Sequence, residues 1–279
     1  MVAFAGNSLL CRMAIGTNAI DSVSFSTIRF TSGTLALLVF SAVSGRGIRG
    51  GSWMGAAVLF FYALPFAASY ALLTTGMGAL ILFGTVQFTM IAAGLLSGER
   101  PSLVEWTGLA VAAGGLLWLV MPGLSTSPSP QGVVWMAAAG VAWGAYSLLG
   151  RRSIDPVAVT TATFLRLVPA LLAINGLYVH STHADRNGVV LAAVSGVVTT
   201  GGGYVIWYSA LRHLTATRAS ILQLSVPALA ALAGTLVLAE PITVRLLTAA
   251  ALILGGVALS TGERTRLGGS LPAVPDRGQ

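Results

Sequence analysis

Residues 221–243 read ILQLSVPALAALAGTLVLAEPIT, an apolar run interrupted by Gln223 and Pro227 and closed by a Glu240-Pro241 corner. A run of roughly 18–25 apolar residues is long enough to cross a bilayer as a helix. A similar corner, Glu99-Arg100-Pro101, closes an earlier run at LLSGERPS, about 141 residues upstream. Other landmarks keep nearly the same register. SLLCR (8–12) matches SLLGR (147–151) at an offset of 139, Arg29 in TIRF matches Arg166 in FLRL at 137, and Tyr70 in SYALL matches Tyr208 in WYSAL at 138. The glycine pair of AAGGLLWLV (112–120) matches that of ILGGVALS (253–260) at 141. Five landmarks in one register predict an internal duplication.

Composition places the duplication in a membrane. The 279 residues are 55% hydrophobic and 8% charged, against about 25% charged in soluble domains. Too few charges remain to coat a water-soluble surface. Breaking the apolar runs at Gly, Pro and charge clusters predicts ten helices, near 2–20, 25–44, 53–73, 78–97, 104–121, 132–150, 158–179, 188–211, 218–239 and 243–261. Residues 2–20 lack a basic leader region and read as a first helix, short before Arg12, rather than a cleaved signal peptide. The expected organisation is an all-α membrane protein with a first five-helix repeat over 1–121, a periplasmic linker over 122–130 (PGLSTSPSP) and a second over 131–261. A disordered cytoplasmic tail is expected over 262–279. Five is odd, so the second repeat enters the membrane from the opposite side. Such inverted repeats are common in secondary transporters, which bind substrate near the midplane between the halves.

All fifteen basic residues are arginines. Ten lie in loops 2–3, 4–5, 6–7, 8–9 or the tail, two in the opposite loops, and Arg12, Arg29 and Arg166 within helices. The positive-inside rule then puts both termini in the cytoplasm. The same rule accounts for the formal charge of +7, so nucleic acid is not expected as a partner. The lone Cys11 excludes an intrachain disulfide. No nucleotide motif, His/Cys metal cluster or nucleophile constellation is visible, so neither enzyme activity nor cofactor is expected.

Candidate site residues are the polar, aromatic and helix-breaking residues inside the runs. Gln87, Gln223 and Asn7 stand within helices, where an unpaired amide costs several kcal/mol. They either face a substrate cavity or bond between helices at about 0.6 kcal/mol each. Tyr62, Phe66 and Tyr70 form a stripe on helix 3, Trp143 and Tyr146 on helix 6, and Tyr204, Trp207 and Tyr208 on helix 8. Residues so spaced stack along a helix, lining a cavity for aromatic or amphipathic substrates or simply packing. Trp53, Trp106, Trp118 and Trp135 fall near helix ends as interfacial anchors. Pro65 aligns with Gly203 of the Gly201-Gly202-Gly203 triplet, and these breaks, with Pro227, are candidate gating points. The symmetric pair Arg29 and Arg166 reads as structural, although a buried arginine can also bind a carboxylate. No acid falls at mid-membrane, which argues against a carboxylate-coupled antiporter. His213, beside Arg212, reads as interfacial, and Glu99 and Glu240 read as helix-end and gating contacts.

The two five-helix halves, the FSTIRF stretch (25–30) and the apolar–Glu–Pro corners together resemble the drug/metabolite transporter superfamily, EamA-domain type. The resemblance covers nearly all of 1–261 and is most specific in 221–243. Within that superfamily the chain looks most like the ten-helix aromatic amino acid exporters of the bacterial inner membrane. The resemblance implies export of amino acids, aromatic ones included, by alternating access, through a monomer or weak dimer in the bilayer. A multidrug/lipophilic-cation or other small-metabolite exporter of the same superfamily is the alternative, although the cation exporters usually hold an intramembrane acid. One departure from the pattern is Gln87, which stands where the resemblance leads one to expect a counterpart of Pro227.

Overall fold

The computed structural model describes residues 1–96, 102–121, 128–150, 155–211, 223 and 225–267. Ten helices occupy these residues: α1 (Val2–Gly16), α2 (Ser22–Val43), α3 (Trp53–Ser69), α4 (Thr75–Leu96) and α5 (Leu103–Val120). They continue as α6 (Pro130–Gly150), α7 (Pro156–Leu177), α8 (Arg186–Leu211), α9 (Ser225–Leu238) and α10 (Val244–Leu267). Five segments, Ser22–Val43, Thr75–Ala93, Pro130–Gly150, Pro156–Leu177 and Arg186–Leu211, are long and apolar enough to cross a membrane. The other five apolar segments are shorter, at 10–17 residues. No strand occurs among the described residues, only an isolated bridge between Ile20 and Ala184.

Helix starts follow local chemistry. Asp21 accepts from the Val23 and Ser24 amides, Ser52 from Gly55, Asp155 from Ala158 and Asp185 from Gly188, at 2.8–3.2 Å. Asp21, Asp155 and Asp185 are therefore N-caps, satisfying amides that a helix leaves unpaired. Helices 1 and 3 end four residues earlier than expected, at Gly16 and Ser69, and the linker and tail boundaries also shift. Pro130 opens α6 rather than ending the linker, because a proline at the first helical position loses no hydrogen bond. The last helix runs to Leu267, so the tail does not begin at Gly262; GERTRL adds Glu, Arg and Leu, all good helix formers. Residues 218–222, expected within helix 9, lie outside the described residues.

The helices meet in two ends. At one, α1 delivers Arg12 beside the C-terminus of α3, Thr75 opens α4 against Glu240 after α9, and Arg245 near the start of α10 bonds the C-terminus of α5. The α7–α8 turn sits there too, with the Asp185 amide bonded to the Ala19 carbonyl. The opposite end gathers the start of α3, the end of α6, the start of α7 and the end of α8. Contacts pair α5 with α10, α4 with α9, α2 with α7, α3 with α6, α1 with α8, α4 with α6 and α1 with α9. Around the outside, apolar side chains such as Val39, Phe61, Leu172, Val198, Ile206 and Leu236 are exposed, a surface suited to lipid rather than water.

Neither expected helix break is a break. Pro65 sits inside α3, which continues to Ser69. The Gly201-Gly202-Gly203 region is not interrupted either. Ser195–Gly202 is wound as a π-helix, and the α-helix resumes at Gly203.

Candidate functional site

The three aromatic stripes converge. Trp143 of α6 lies 5.2 Å from Tyr62 of α3 and 4.8 Å from Tyr204 of α8, between ring centroids. Tyr62 continues to Phe66 and Phe66 to Tyr70, each at 5.1 Å. Tyr146 meets Trp143 at 5.9 Å and Tyr208 at 5.7 Å. Trp207 joins through Phe4 of α1, which touches Trp143, Tyr204 and Trp207 at 5.5, 6.3 and 5.7 Å. The separations and tilts are those of attractive ring pairs. All eight candidate aromatics are buried. A void of only about 10 Å³ lies among Phe4, Asn7, Ser8, Tyr62, Phe66, Leu82, Phe83 and Trp143, so among the described residues the centre is closed in this conformation.

A polar network borders the rings. Asn7 Oδ1 accepts from Ser195 Oγ at 2.8 Å and Thr199 Oγ1 at 3.5 Å, and its Nδ2 donates to Tyr62 Oη at 3.5 Å. Arg29 of α2 is fully buried. Its Nε donates to Thr200 Oγ1 at 2.7 Å and its Nη2 to the Tyr62 and Tyr204 hydroxyls at 3.4 and 3.5 Å. The guanidinium carbon lies 4.9 Å from the Phe30 ring centre, 5.5 Å from Tyr62 and 5.2 Å from Phe66, within cation–π range.

Ser195, Thr199 and Thr200 all come from the π-helical segment, a winding that recurs at functional sites. Glycines bring that segment against α2. A methyl on Gly33 would stand 2.8 Å from the Gly196 carbonyl oxygen, and one on Gly196 would collide with Ser32 Oγ and the Arg29 carbonyl. The two backbones touch, so the short Thr200 side chain reaches the guanidinium.

The two ends differ. At one, Arg12 Nε donates to Glu240 Oε1 at 3.1 Å and Arg12 Nη1 to the Tyr70 carbonyl at 2.7 Å; Glu240 Oε2 accepts from the Thr75 amide at 2.8 Å. This lock ties α1, α3, α4 and α9 together. It explains the Glu-Pro corner. The chain leaves α9 through Ala239 in the left-handed region (φ 53°), and the Glu240 amide bonds back to the Gly234 carbonyl at 3.2 Å, which aims the carboxylate inward. At the other end a cleft of about 640 Å³ runs between the α2–α3 loop, α6, α7 and α8, and is bordered by Arg49, Asp155, Tyr146 and Tyr208. Tyr208 donates to the Tyr146 carbonyl at 3.4 Å, and both rings lead from the cleft into the closed centre.

The remaining candidates lie elsewhere. Gln87 is buried one turn beyond Phe83, but it does not line the central void. Gln223 is buried, with neither amide atom partnered among the described residues. Pro227 borders a shallow apolar groove with Gly76 and Leu246. His213 and Glu99 lie outside the described residues. Phe4, Arg29, Ser195, Thr199 and Thr200 were missed as site residues. Arg29 was visible, but its symmetry with Arg166 argued for a shared structural role. Their surroundings are different: Arg166 is only partly buried and donates to the Gly50 and Ala162 carbonyls at 3.2 and 2.8 Å.

A bundle of apolar helices around a closed aromatic and polar centre, with a cleft at one end and an ion-pair lock at the other, defines a class of integral membrane transporter. The chain belongs to the EamA-like transporter family, whose model matches residues 130–262, and so to the drug/metabolite transporter superfamily. It is 48% identical over 271 residues to the uncharacterized protein PA1977 of Pseudomonas aeruginosa, covering 95% of this chain and 92% of that one. It is also similar to the uncharacterized transporter YoaV of Bacillus subtilis (22% identical, 89% and 90% covered). A "Probable amino-acid metabolite efflux pump" of Salmonella typhimurium is 24% identical, with 74% of each chain covered. A crystal structure of another protein has the same fold, with a TM-score of 0.67 at 20% identity, over 95% of this chain and 98% of that chain.

Proposed function

We propose that the protein is a secondary transporter that exports amino acids, aromatic ones included, from the cytoplasm across a bacterial inner membrane by alternating access. The carrying observation is the contrast between the two ends. The cleft leads from Arg49 to Tyr146 and Tyr208 and stops at the aromatic centre. The far side of that centre is held shut by Arg12 and Glu240. The cleft is bordered by the α2–α3 and α6–α7 connections, which carry Arg46, Arg49, Arg151 and Arg152. By the positive-inside rule that end is cytoplasmic, as are both termini, and the conformation is the one that loads substrate from within.

Ten spans arranged as two inverted five-helix halves accommodate the packing. Exchanging each helix with the one five places on turns α3–α6 into α8–α1 and α4–α6 into α9–α1, and leaves α2–α7, α4–α9 and α5–α10 paired. Counterparts also run in opposite senses: α1 ends at the lock and α6 begins there, beside Leu72 and Leu73. The similarity to an amino-acid metabolite efflux pump supports the substrate class, as does an aromatic centre with hydrogen-bonding edges. A lipophilic cation fits less well, because it would meet the buried charge of Arg29. The test is counterflow of labelled amino acids in proteoliposomes holding the full chain. Accumulation of several amino acids, phenylalanine among them, is expected. Absence of counterflow for every amino acid, with the protein folded and inserted, overturns the substrate assignment.

A further inference from the structure

We propose that Arg29 is the anchor for a substrate carboxylate, so that the site selects apolar monocarboxylates and does not require an α-amino group. The inference rests on the transporter reading above and narrows it. Arg29 is fully buried in the middle of α2, yet no carboxylate and no backbone carbonyl accepts from it among the described residues. Its three partners are neutral hydroxyls, two of them at 3.4 and 3.5 Å, and Nη1 has no partner. Structural arginines in this chain are held differently. Arg245 donates to the Trp118 and Met121 carbonyls at a helix C-terminus, and Arg166 to those of Gly50 and Ala162. A buried cation without an opposing charge is costly, and the sequence offers no acid at this depth.

The neighbouring rings repeat the imbalance. Trp143 Nε1 and Trp207 Nε1 are buried and unpartnered, and both belong to the network that contains Tyr204, which contacts Arg29. Indole and guanidinium nitrogens only donate. Three orphan donors around one cluster call for an acceptor, and a carboxylate is the acceptor that also neutralises the charge, through the planar fork of arginine. Asn7 Oδ1 already takes Ser195 Oγ at 2.8 Å, and no acid stands by to receive an ammonium. The rest of the wall is aromatic and suits an apolar body. The rings must part to admit it, since only about 10 Å³ is free.

Three probes that share one ring separate the groups read: phenylalanine, 3-phenylpropionate without the amine, and phenethylamine without the carboxylate. Ligand-induced thermal stabilisation of the purified full chain measures binding without interference from diffusion through the bilayer. Phenylalanine and 3-phenylpropionate are expected to bind within about tenfold of each other, and phenethylamine about 100-fold or more weaker, as the loss of charged hydrogen bonds implies. Arg29→Gln is expected to lose both carboxylates by a similar factor, with Arg29→Lys retaining part. Equal binding of phenethylamine, or full carboxylate binding by a folded Arg29→Gln, overturns the anchor while leaving amino-acid export in place. Binding of phenylalanine without 3-phenylpropionate also overturns it, because the amine is then read. Binding of 3-phenylpropionate alone upholds the anchor and removes the amino-acid assignment. If none binds, the anchor is overturned, and the counterflow panel judges the export reading on its own. The profile of the unsubstituted protein decides the matter even if Arg29→Gln does not fold.

Discussion

Replacing Glu240 with glutamine removes one charge from the lock and leaves its shape almost unchanged. Glu240 uses one oxygen for Arg12 at 3.1 Å and the other for the Thr75 amide at 2.8 Å. Glutamine keeps one acceptor and presents an NH2 to the second donor, so one charged hydrogen bond is lost and the other weakens. Hydrogen bonds to charged groups contribute about 1.5–3 kcal/mol each. The side chains are 24% and 12% exposed, so screening is partial and the lower part of that range, about 2 kcal/mol, applies. That corresponds to a roughly 30-fold rise in the population open at the lock end. The chain carries its own reporter. Cys11, its one cysteine, precedes Arg12 on α1 and is fully buried. If opening and closing are fast relative to modification, the labelling rate follows the open population. A polar maleimide should label Cys11 about 30-fold faster in Glu240→Gln than in the parent protein, with Cys11→Ala as the blank. A labelling rate within threefold of the parent, in a variant with unchanged thermal midpoint, would refute the reasoning that this pair holds the end shut.

Other substitutions test the centre and the turns. Gly196→Ala forces a methyl into Ser32 Oγ and the Arg29 carbonyl. It should cost about 1–3 kcal/mol, read as a lower melting midpoint in detergent. Gly202→Ala meets nothing nearer than the Val197 carbonyl oxygen at 3.6 Å and should be tolerated. Trp143→Ala removes a ring that touches Phe4, Tyr62, Tyr146 and Tyr204, and should lower transport without lowering membrane insertion. Gln87→Ala should lower transport less, since Gln87 does not line the central void; an equal loss would place Gln87 on the substrate path. Asp21 caps α2 and accepts from the His183 amide. Burial alone would raise its pKa, but hydrogen bonds from Ser24, His183 and Val23 outweigh burial and lower it below the ordinary value of 3.8. A lowered folded-state pKa stabilises above the unfolded value and loses that stabilisation as pH falls through the folded one. The melting midpoint should therefore fall more steeply below about pH 4 than in Asp21→Asn; parallel curves would assign the acid sensitivity to other groups.

Much of the architecture was legible in the chain, because it rests on local and periodic information. Run length and charge scarcity marked the helices, and nearly every boundary fell within a few residues. The register of 137–141 residues pointed to an internal duplication. The stripes at Tyr62, Phe66, Tyr70, Trp143, Tyr146, Tyr204, Trp207 and Tyr208 were visible because side chains three and four apart share a helix face, and they do converge. Periodicity cannot say whether a proline or glycine breaks a helix. Pro65 leaves α3 continuous, and the glycine triplet straddles the point where a π-helical stretch ends at Gly202 and the α-helix resumes at Gly203. Depth and partners, too, are set by packing between distant segments. Arg29 and Arg166 stand 137 residues apart in similar local sequence, and only the tertiary structure buries the first among hydroxyls and rings while leaving the second on backbone carbonyls. Arg12 and Glu240 stand 228 residues apart and meet only in the fold. The sequence by itself determined where the apolar helices lie, because that depends on each segment's own composition. Which charges are paired, which are stranded and which end is closed depends on neighbours that only the folded chain supplies.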